Sequence, residues 1–311
     1  MPDRPFRFGV LANGARDIVT WRDQARTAEA LGYHGFLVPD HLGREWGPLV
    51  SLAVAAEATR TIALGTLVLG VDLRVPTVLF KELATLAQLA PGRLEIGLGA
   101  GWLAEDYTRA GVPMAPASTR IERLDEAATM LRTLWTERRL SYLGRHYQVT
   151  DAVGEPATDP AGVRWVLGGG GRRMLTVAAA HADVVSLGAR LSGGVKGPSF
   201  GTSATIDRFD ERLRWVRDAA GPRFAGIELQ CLVQACAVTS DRDRYASRVL
   251  ARMFGLDSRD ALDSPLALVG TVEQLCDRLT VLRDRLAISY WVVPAAQMKP
   301  FADVVARLAG R

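Results

Sequence analysis

Gly35-Phe36-Leu37-Val38-Pro39-Asp40-His41 is an apolar run that ends in a carboxylate beside an imidazole. A continuous apolar run marks a strand buried on both faces, the strand type of parallel sheets covered by helices. Upstream, Trp21, Ala25, Ala28 and Leu31 recur at helical spacing, and Gly32 follows them as a stop. Downstream, Pro48 opens a second helical stretch that runs to Arg60. The segment is therefore a strand between two helices, and its polar end is where that strand meets solvent.

The alternation continues along the chain. Strands are predicted over 6–12, 35–39, 62–69, 94–98, 164–167, 183–187, 227–238 and 288–293. Helices are predicted over 20–31, 48–60, 76–89, from 118 past Trp135, and over 172–181, 205–220, 271–286 and 301–308. Thr119 with Glu122, and Thr271 with Gln274, have the spacing of capping boxes. Residues 139–163 read as a hairpin followed by a proline-containing loop. Eight strands and eight helices without a linker predict an α/β fold, one (β/α)8 TIM barrel over 1–311, with insertions after strands four, six and seven.

Composition narrows the function classes. With 48% apolar and 23% charged residues, the chain has the makings of a substantial core. No stretch reaches the roughly 18 apolar residues of a membrane span, and residues 1–5 lead into a strand rather than an apolar leader. The net charge of +4 is spread among acids, as in Arg120, Glu122, Arg123, Asp125 and Glu126, so no nucleic-acid stripe is expected. Of 38 basic residues, three are lysine and the other 35 arginine, a bias that suits a GC-rich genome. Cys231, Cys236 and Cys276 cannot all pair and have no zinc-like spacing, which predicts a reduced, cytoplasmic setting and no metal.

In a barrel, chemistry belongs at the C-terminal ends of the strands. The polar residues expected there are Asn13, the pair Asp40-His41, Asp72, Arg74 and Arg190. Asp40-His41 suits acid–base work, since imidazole titrates near neutrality and a carboxylate can tune it; the same pair also serves as a cap or turn. Gly97-Leu98-Gly99-Ala100-Gly101-Trp102 is either a tight strand-to-helix turn or a close approach of backbone to a flat cofactor. Gly168-Gly169-Gly170-Gly171-Arg172-Arg173 is a better phosphate candidate, with exposed amides, a helix N-terminus and guanidinium groups. Trp46, Trp102 and Trp291 lie on or near strand ends, where an aromatic can flank a planar ring.

The order of these motifs resembles the luciferase-like flavin- and deazaflavin-dependent oxidoreductases. The matching stretches are 28–36 into Val38-Pro39-Asp40-His41, 56–60 into 63–66, Pro91-Gly92-Arg93 into 97–102, 131–135, and 169–171 into Ala182-Asp183. The later part, 211–229 with 264–265 and 268–271, is similar to an actinobacterial branch that uses the 8-hydroxy-5-deazaflavin coenzyme F-420. The resemblance implies that His41 and Asp40 lie beside the deazaflavin, with Asp40 tuning His41 or touching the ring. It implies that a cis peptide at Leu67-Val68 backs the ring, and that the tail phosphate sits at Gly170 and Gly171. Gly99, Ala100, Gly101, Gly169 and Arg172 complete the expected cofactor contacts, while Asn13, Trp46, Trp102 and Arg190 are expected around the substrate. Sugar-phosphate dehydrogenases of this family carry a catalytic glutamate where this chain has Trp102, which points to a flat or apolar substrate instead. The expected activity is hydride exchange between C5 of F-420 and a small organic substrate, or else an FMN-dependent monooxygenation. Relatives of this kind are often homodimers. Residues 193–204, with Lys196 and Ser199, are expected to form a lid.

Overall fold

A computed structural model describes residues 4–191 and 199–311. Eight parallel strands close on themselves: β1 (Arg7–Leu11), β2 (Gly35–Val38), β3 (Ala63–Thr66), β4 (Leu94–Gly99), β5 (Val163–Gly169), β6 (Val184–Leu187), β7 (Glu228–Leu232) and β8 (Ile288–Pro294). The ring closes where β8 returns to β1, from Arg7↔Tyr290 to Leu11↔Pro294. Around it lie α1 (Ile18–Ala30), α2 (Pro48–Ala58), α3 (Pro76–Leu89), α4 (Ala117–Glu137), α5 (Arg172–His181), α6 (Ile206–Ala220), α7 (Val272–Leu286) and α8 (Ala302–Leu308). The chain folds as a (β/α)8 barrel with its long insertions after β4, β6 and β7. No helix among the described residues is long and apolar enough to cross a membrane.

Packing follows from the strand pattern. Leu37, Val166, Val184, Tyr290 and Val292 fill the barrel interior, and a far larger apolar shell lies between strands and helices. Predicted ends hold where local chemistry decides them. Gly32 stops α1 with φ +80°, and Thr271 and Gln274 complete both bonds of a capping box on α7. Glu29 braces the turn into β3: one oxygen accepts from the amides of Arg60, Thr61 and Ile62 at 2.6 to 3.0 Å. Slight burial raises its carboxyl, but those amides outweigh it and hold it at about 2. Glu29→Ala is expected to cost about 1–2 kcal/mol, after allowance for solvent screening, and to lower the thermal midpoint by a few degrees. An unchanged midpoint would show that water satisfies those amides equally well.

Several expectations need correction. The strand expected over 62–69 breaks after Thr66, where the expected cis peptide Leu67-Val68 is present, and only Leu69–Gly70 rejoins β4. Thr66 bridges the break, its hydroxyl both donating to the Gly97 carbonyl and accepting from the Gly97 amide at 2.9 Å. The strand expected over 227–238 divides as well. After Leu232 the amides of Gln234 and Ala235 turn to the Leu266 carbonyl, and Ala235–Val238 pairs with Ala267–Gly270 outside the barrel. An apolar run cannot say which neighbour accepts its hydrogen bonds. Thr119 caps nothing, because α4 already starts at Ala117; Glu122 instead meets His146 and Arg173. The expected hairpin is present, with Arg139–Leu143 antiparallel to Gln148–Val153. Of the expected lid, residues 193–198 with Lys196 and the Ser199 side chain lie outside the described residues.

Candidate active site

The floor and the mouth of the barrel are built differently. At the floor, beside the N-terminal strand ends, Arg7 donates to both oxygens of Glu228 at 2.8 and 2.5 Å, and Arg164 meets the same carboxylate at 2.8 Å. Glu95 receives Arg7 at 3.3 Å, His34 at 3.4 Å and the Tyr290 hydroxyl at 2.9 Å. These charges are consumed by one another and close that end. Open polar chemistry is left to the opposite end.

At the mouth, His41 follows β2 and is about one quarter exposed. Its Nδ1 lies 2.6 Å from Oδ2 of Asp106, whose side chain is buried and whose Oδ1 accepts the Leu42 amide at 2.9 Å. A carboxylate only accepts, so Nδ1 carries the proton and Nε2 is left for a partner outside the pair. The Trp102 ring stands edge-on to the imidazole, with centroids 5.8 Å apart and planes at 89°. Asp106 belongs to the short helix Ala104–Ala110, within the insertion expected after strand four, where no helix was expected. The acidic pair Glu105-Asp106 just past Gly101-Trp102 was the available signal.

Among the described residues Asp40 makes no hydrogen bond to His41, so the expected tuning contact is absent. Its carboxylate accepts from both terminal guanidinium nitrogens of Arg74, Nη1 and Nη2, the latter at 2.8 Å, and from the Gly70 amide at 2.9 Å. It is buried and ties the β2 exit to the segment after the cis Leu67-Val68 peptide. Asp72, from that segment, faces Arg123 at 3.2 Å and the Tyr107 hydroxyl at 3.3 Å. Tyr107 in turn lies under Gly101, where φ is +69° and a side chain would strike the phenol. Only glycine fits that position on both counts. Arg120 holds the Gly101 carbonyl at 2.6 Å. Gly99, Ala100 and Gly101 thus form a rigidly backed rim next to Trp102.

Asn13 and Trp46 are brought together, the Trp46 amide donating to the Asn13 carbonyl at 3.0 Å, while the Trp46 ring packs on Trp21. Leu67 packs onto the interior cluster of the barrel, whereas Trp291 is buried in the outer shell and reaches no opening. The glycine turn after β5 forms a second feature of the mouth. A Cβ on Gly170 would stand 2.5 Å from the Arg190 amide nitrogen, whereas Gly171 faces open space. Arg190, expected near the substrate, therefore borders the glycine turn, and its amide donates to the Ser203 hydroxyl at 2.8 Å. Gly171 caps α5 without a side-chain acceptor. Sequence reading missed Arg212 of α6, which reaches this turn and donates from Nε to the Gly170 carbonyl at 3.1 Å. No cluster of potential metal ligands occurs among the described residues.

The profile of the family described as luciferase-like monooxygenase matches residues 5–225. The F-420-dependent glucose-6-phosphate dehydrogenase of Intrasporangium calvum is 34% identical over 150 residues, 45% of this chain and 44% of that protein. The chain thus spans under half the length of that relative. The protein of the same name from Nakamurella multipartita is 26% identical over 94% of this chain and 84% of its own length. Among solved structures, the coenzyme F-420-dependent tetrahydromethanopterin reductase of Methanopyrus kandleri matches with a TM-score of 0.79 at 15% identity, covering 98% of this chain and 99% of its own. An F-420-dependent secondary alcohol dehydrogenase bound to an F-420–acetone adduct matches at 0.74 and 18%, covering 98% of each chain.

Proposed function

This chain belongs to the luciferase-like monooxygenase family, and from that footing we propose that it is an F-420-dependent oxidoreductase acting on a small organic substrate. The observation that carries the reading is the His41–Asp106 pair beside Trp102, at the same barrel mouth as an uncapped glycine turn. The names of the relatives support the cofactor. The residues fit it on their own terms too: the turn has room at Gly171 and a buried guanidinium behind it.

Gly169, Gly170, Gly171 and Arg172 would hold the phosphate-bearing tail, and Leu67, Val68, Gly99, Ala100 and Gly101 would line the ring. When bound, the deazaflavin supplies the centre that gives or takes a hydride. The protein does the rest. Asp106 fixes the imidazole tautomer and rotation, so Nε2 of His41 can take or return the proton of a substrate hydroxyl as the hydride moves. Asp40 acts as a brace, holding the β2 exit through Arg74. Trp102 walls the site with an indole where an acid would serve a sugar phosphate, so a flat or apolar alcohol or carbonyl compound is the substrate class we assign. Asn13 and Trp46 line the remaining side. We also read residues 1–311 as one cytoplasmic domain that pairs as a homodimer through the exposed Val50 of α2, Val75 just before α3 and Val78 of α3.

Anaerobic turnover tests this reading. Secondary alcohols, planar aromatic alcohols and glucose 6-phosphate, each with F-420, should bleach the deazaflavin absorbance for the first two classes and not for the sugar phosphate. Oxygen uptake with reduced FMN, and no bleaching of F-420 with any substrate, would instead support a monooxygenase. Asp106→Asn should lower kcat roughly 10²-fold with little change in cofactor affinity, because the imidazole loses its enforced tautomer. Full activity in that variant would remove Asp106 from the mechanism.

A further inference from the structure

The buried stripe of α6 consists of Phe209, Arg212, Leu213 and Val216. An arginine in an apolar stripe needs compensation, since a buried unpaired charge costs several kcal/mol. Arg212 is only 2% exposed, and among the described residues it forms no salt bridge, the neighbouring Glu211 acting on it only through its longer-range charge. Its guanidinium lies 5.0 Å from the centroid of the Phe209 ring, and Nη1 is buried without a hydrogen-bond partner among the described residues. Burial pulls the group down to about 10, which leaves it cationic at neutral pH.

Among the described residues its one hydrogen bond explains where that charge acts. The Gly170–Gly171 peptide is planar and trans, so its carbonyl and amide hydrogen point in opposite directions. Arg212 holds the carbonyl oxygen at 3.1 Å, which turns the Gly171 N–H away from Arg212. Drawing electron density to that oxygen also makes the amide a stronger donor. Gly171 is the N-cap of α5, a ten-residue helix whose first amides have no side-chain acceptor, and its free face is open.

We propose that Arg212 is a positioning residue for anion capture: it sets the Gly170–Gly171 peptide and supplies the buried positive charge behind it, so that the turn selects a phosphate-bearing ribityl cofactor over the same ring system without phosphate. The ligand class is a phosphate ester of a ribityl chain. This deepens the cofactor reading and rests on it.

The experiment compares wild type, Arg212→Met and Arg212→Lys in three titrations: F-420, its phosphate-free ribityl core, and inorganic phosphate. The first two are read by deazaflavin fluorescence, the third by thermal shift of the cofactor-free protein. Arg212→Met should weaken F-420 binding roughly 10- to 100-fold, with the phosphate-free core changed less than about threefold. Arg212→Lys, which keeps charge but loses the fork, should fall between. Inorganic phosphate should raise the melting temperature of wild type and leave that of Arg212→Met unmoved. Equal loss for both deazaflavins would make Arg212 a packing residue and overturn the inference, as would no loss for either. If Arg212→Met does not fold, an unchanged preference in Arg212→Lys overturns it equally. If wild type binds neither deazaflavin, the cofactor reading fails, and the role of Arg212 is then decided by the phosphate shift alone.

Discussion

Replacing Glu95 by Gln is expected to lower the melting temperature by roughly 10 °C, the largest stability loss of any single change considered for this barrel. Glu95 sits on β4 with its side chain 2% exposed, surrounded by Arg7, His34, Arg164 and the Tyr290 hydroxyl. Burial by itself would push its carboxyl up, but the His34 hydrogen bond and the charges of Arg7, His34 and Arg164 outweigh it and hold it at about 2. A carboxyl depressed from 4.5 to about 2 contributes about 3 kcal/mol once both states are ionised. Because the folded value is the lower one, that stability is complete above about pH 4.5 and drains away as the pH falls towards 2. Neutralising Glu95 leaves Arg7 and Arg164 to share the single carboxylate of Glu228 and leaves His34 without its acid partner, at a cost of about 3–5 kcal/mol. Denaturant melts of both proteins between pH 2 and 7 check this: the difference should be full at pH 7 and shrink below pH 4.5. A constant difference, or none, would show that the floor network is not what holds the barrel closed.

His41→Ala should abolish most turnover while leaving the cofactor in place. General acid–base catalysis by a positioned group contributes roughly 10²- to 10⁴-fold, and that is the loss expected in kcat for any substrate that bleaches F-420 with wild type. The affinity for F-420 should change by less than about threefold, since the tail site lies at the glycine turn and not at His41. Stopped-flow bleaching separates the two quantities. A variant that turns over at wild-type speed would leave Asp106 orienting nothing, and the proton would need another carrier.

The barrel was legible because its strands are buried on both faces and its helices on one, and both habits leave a mark in the order of residues. Gly35-Phe36-Leu37-Val38 could be nothing but an interior strand once helical spacing appeared on both sides of it. The irregularity after Thr66 was visible only through the resemblance, which implied the cis Leu67-Val68 peptide, and the break at Leu232 was not legible, since an apolar run looks the same whether its amides bond within the barrel or to Leu266. His41 was identified at the mouth from its place after β2. Its partner was assigned to the adjacent Asp40, because neighbours in sequence are the only neighbours a sequence displays. The fold sends Asp40 to Arg74 and brings Asp106 from 65 residues away. Arg212 escaped for a related reason: an arginine on a helix reads as solvated until packing turns it inward.

The central claim is that this mouth holds a deazaflavin, and it is tested most directly by titrating the purified protein with F-420 and, in parallel, with FMN while following cofactor fluorescence. The expected result is saturable binding of F-420 at micromolar or tighter concentration, about tenfold or more tighter than FMN. Tighter binding of FMN, with deazaflavin fluorescence unchanged across the titration, would contradict it.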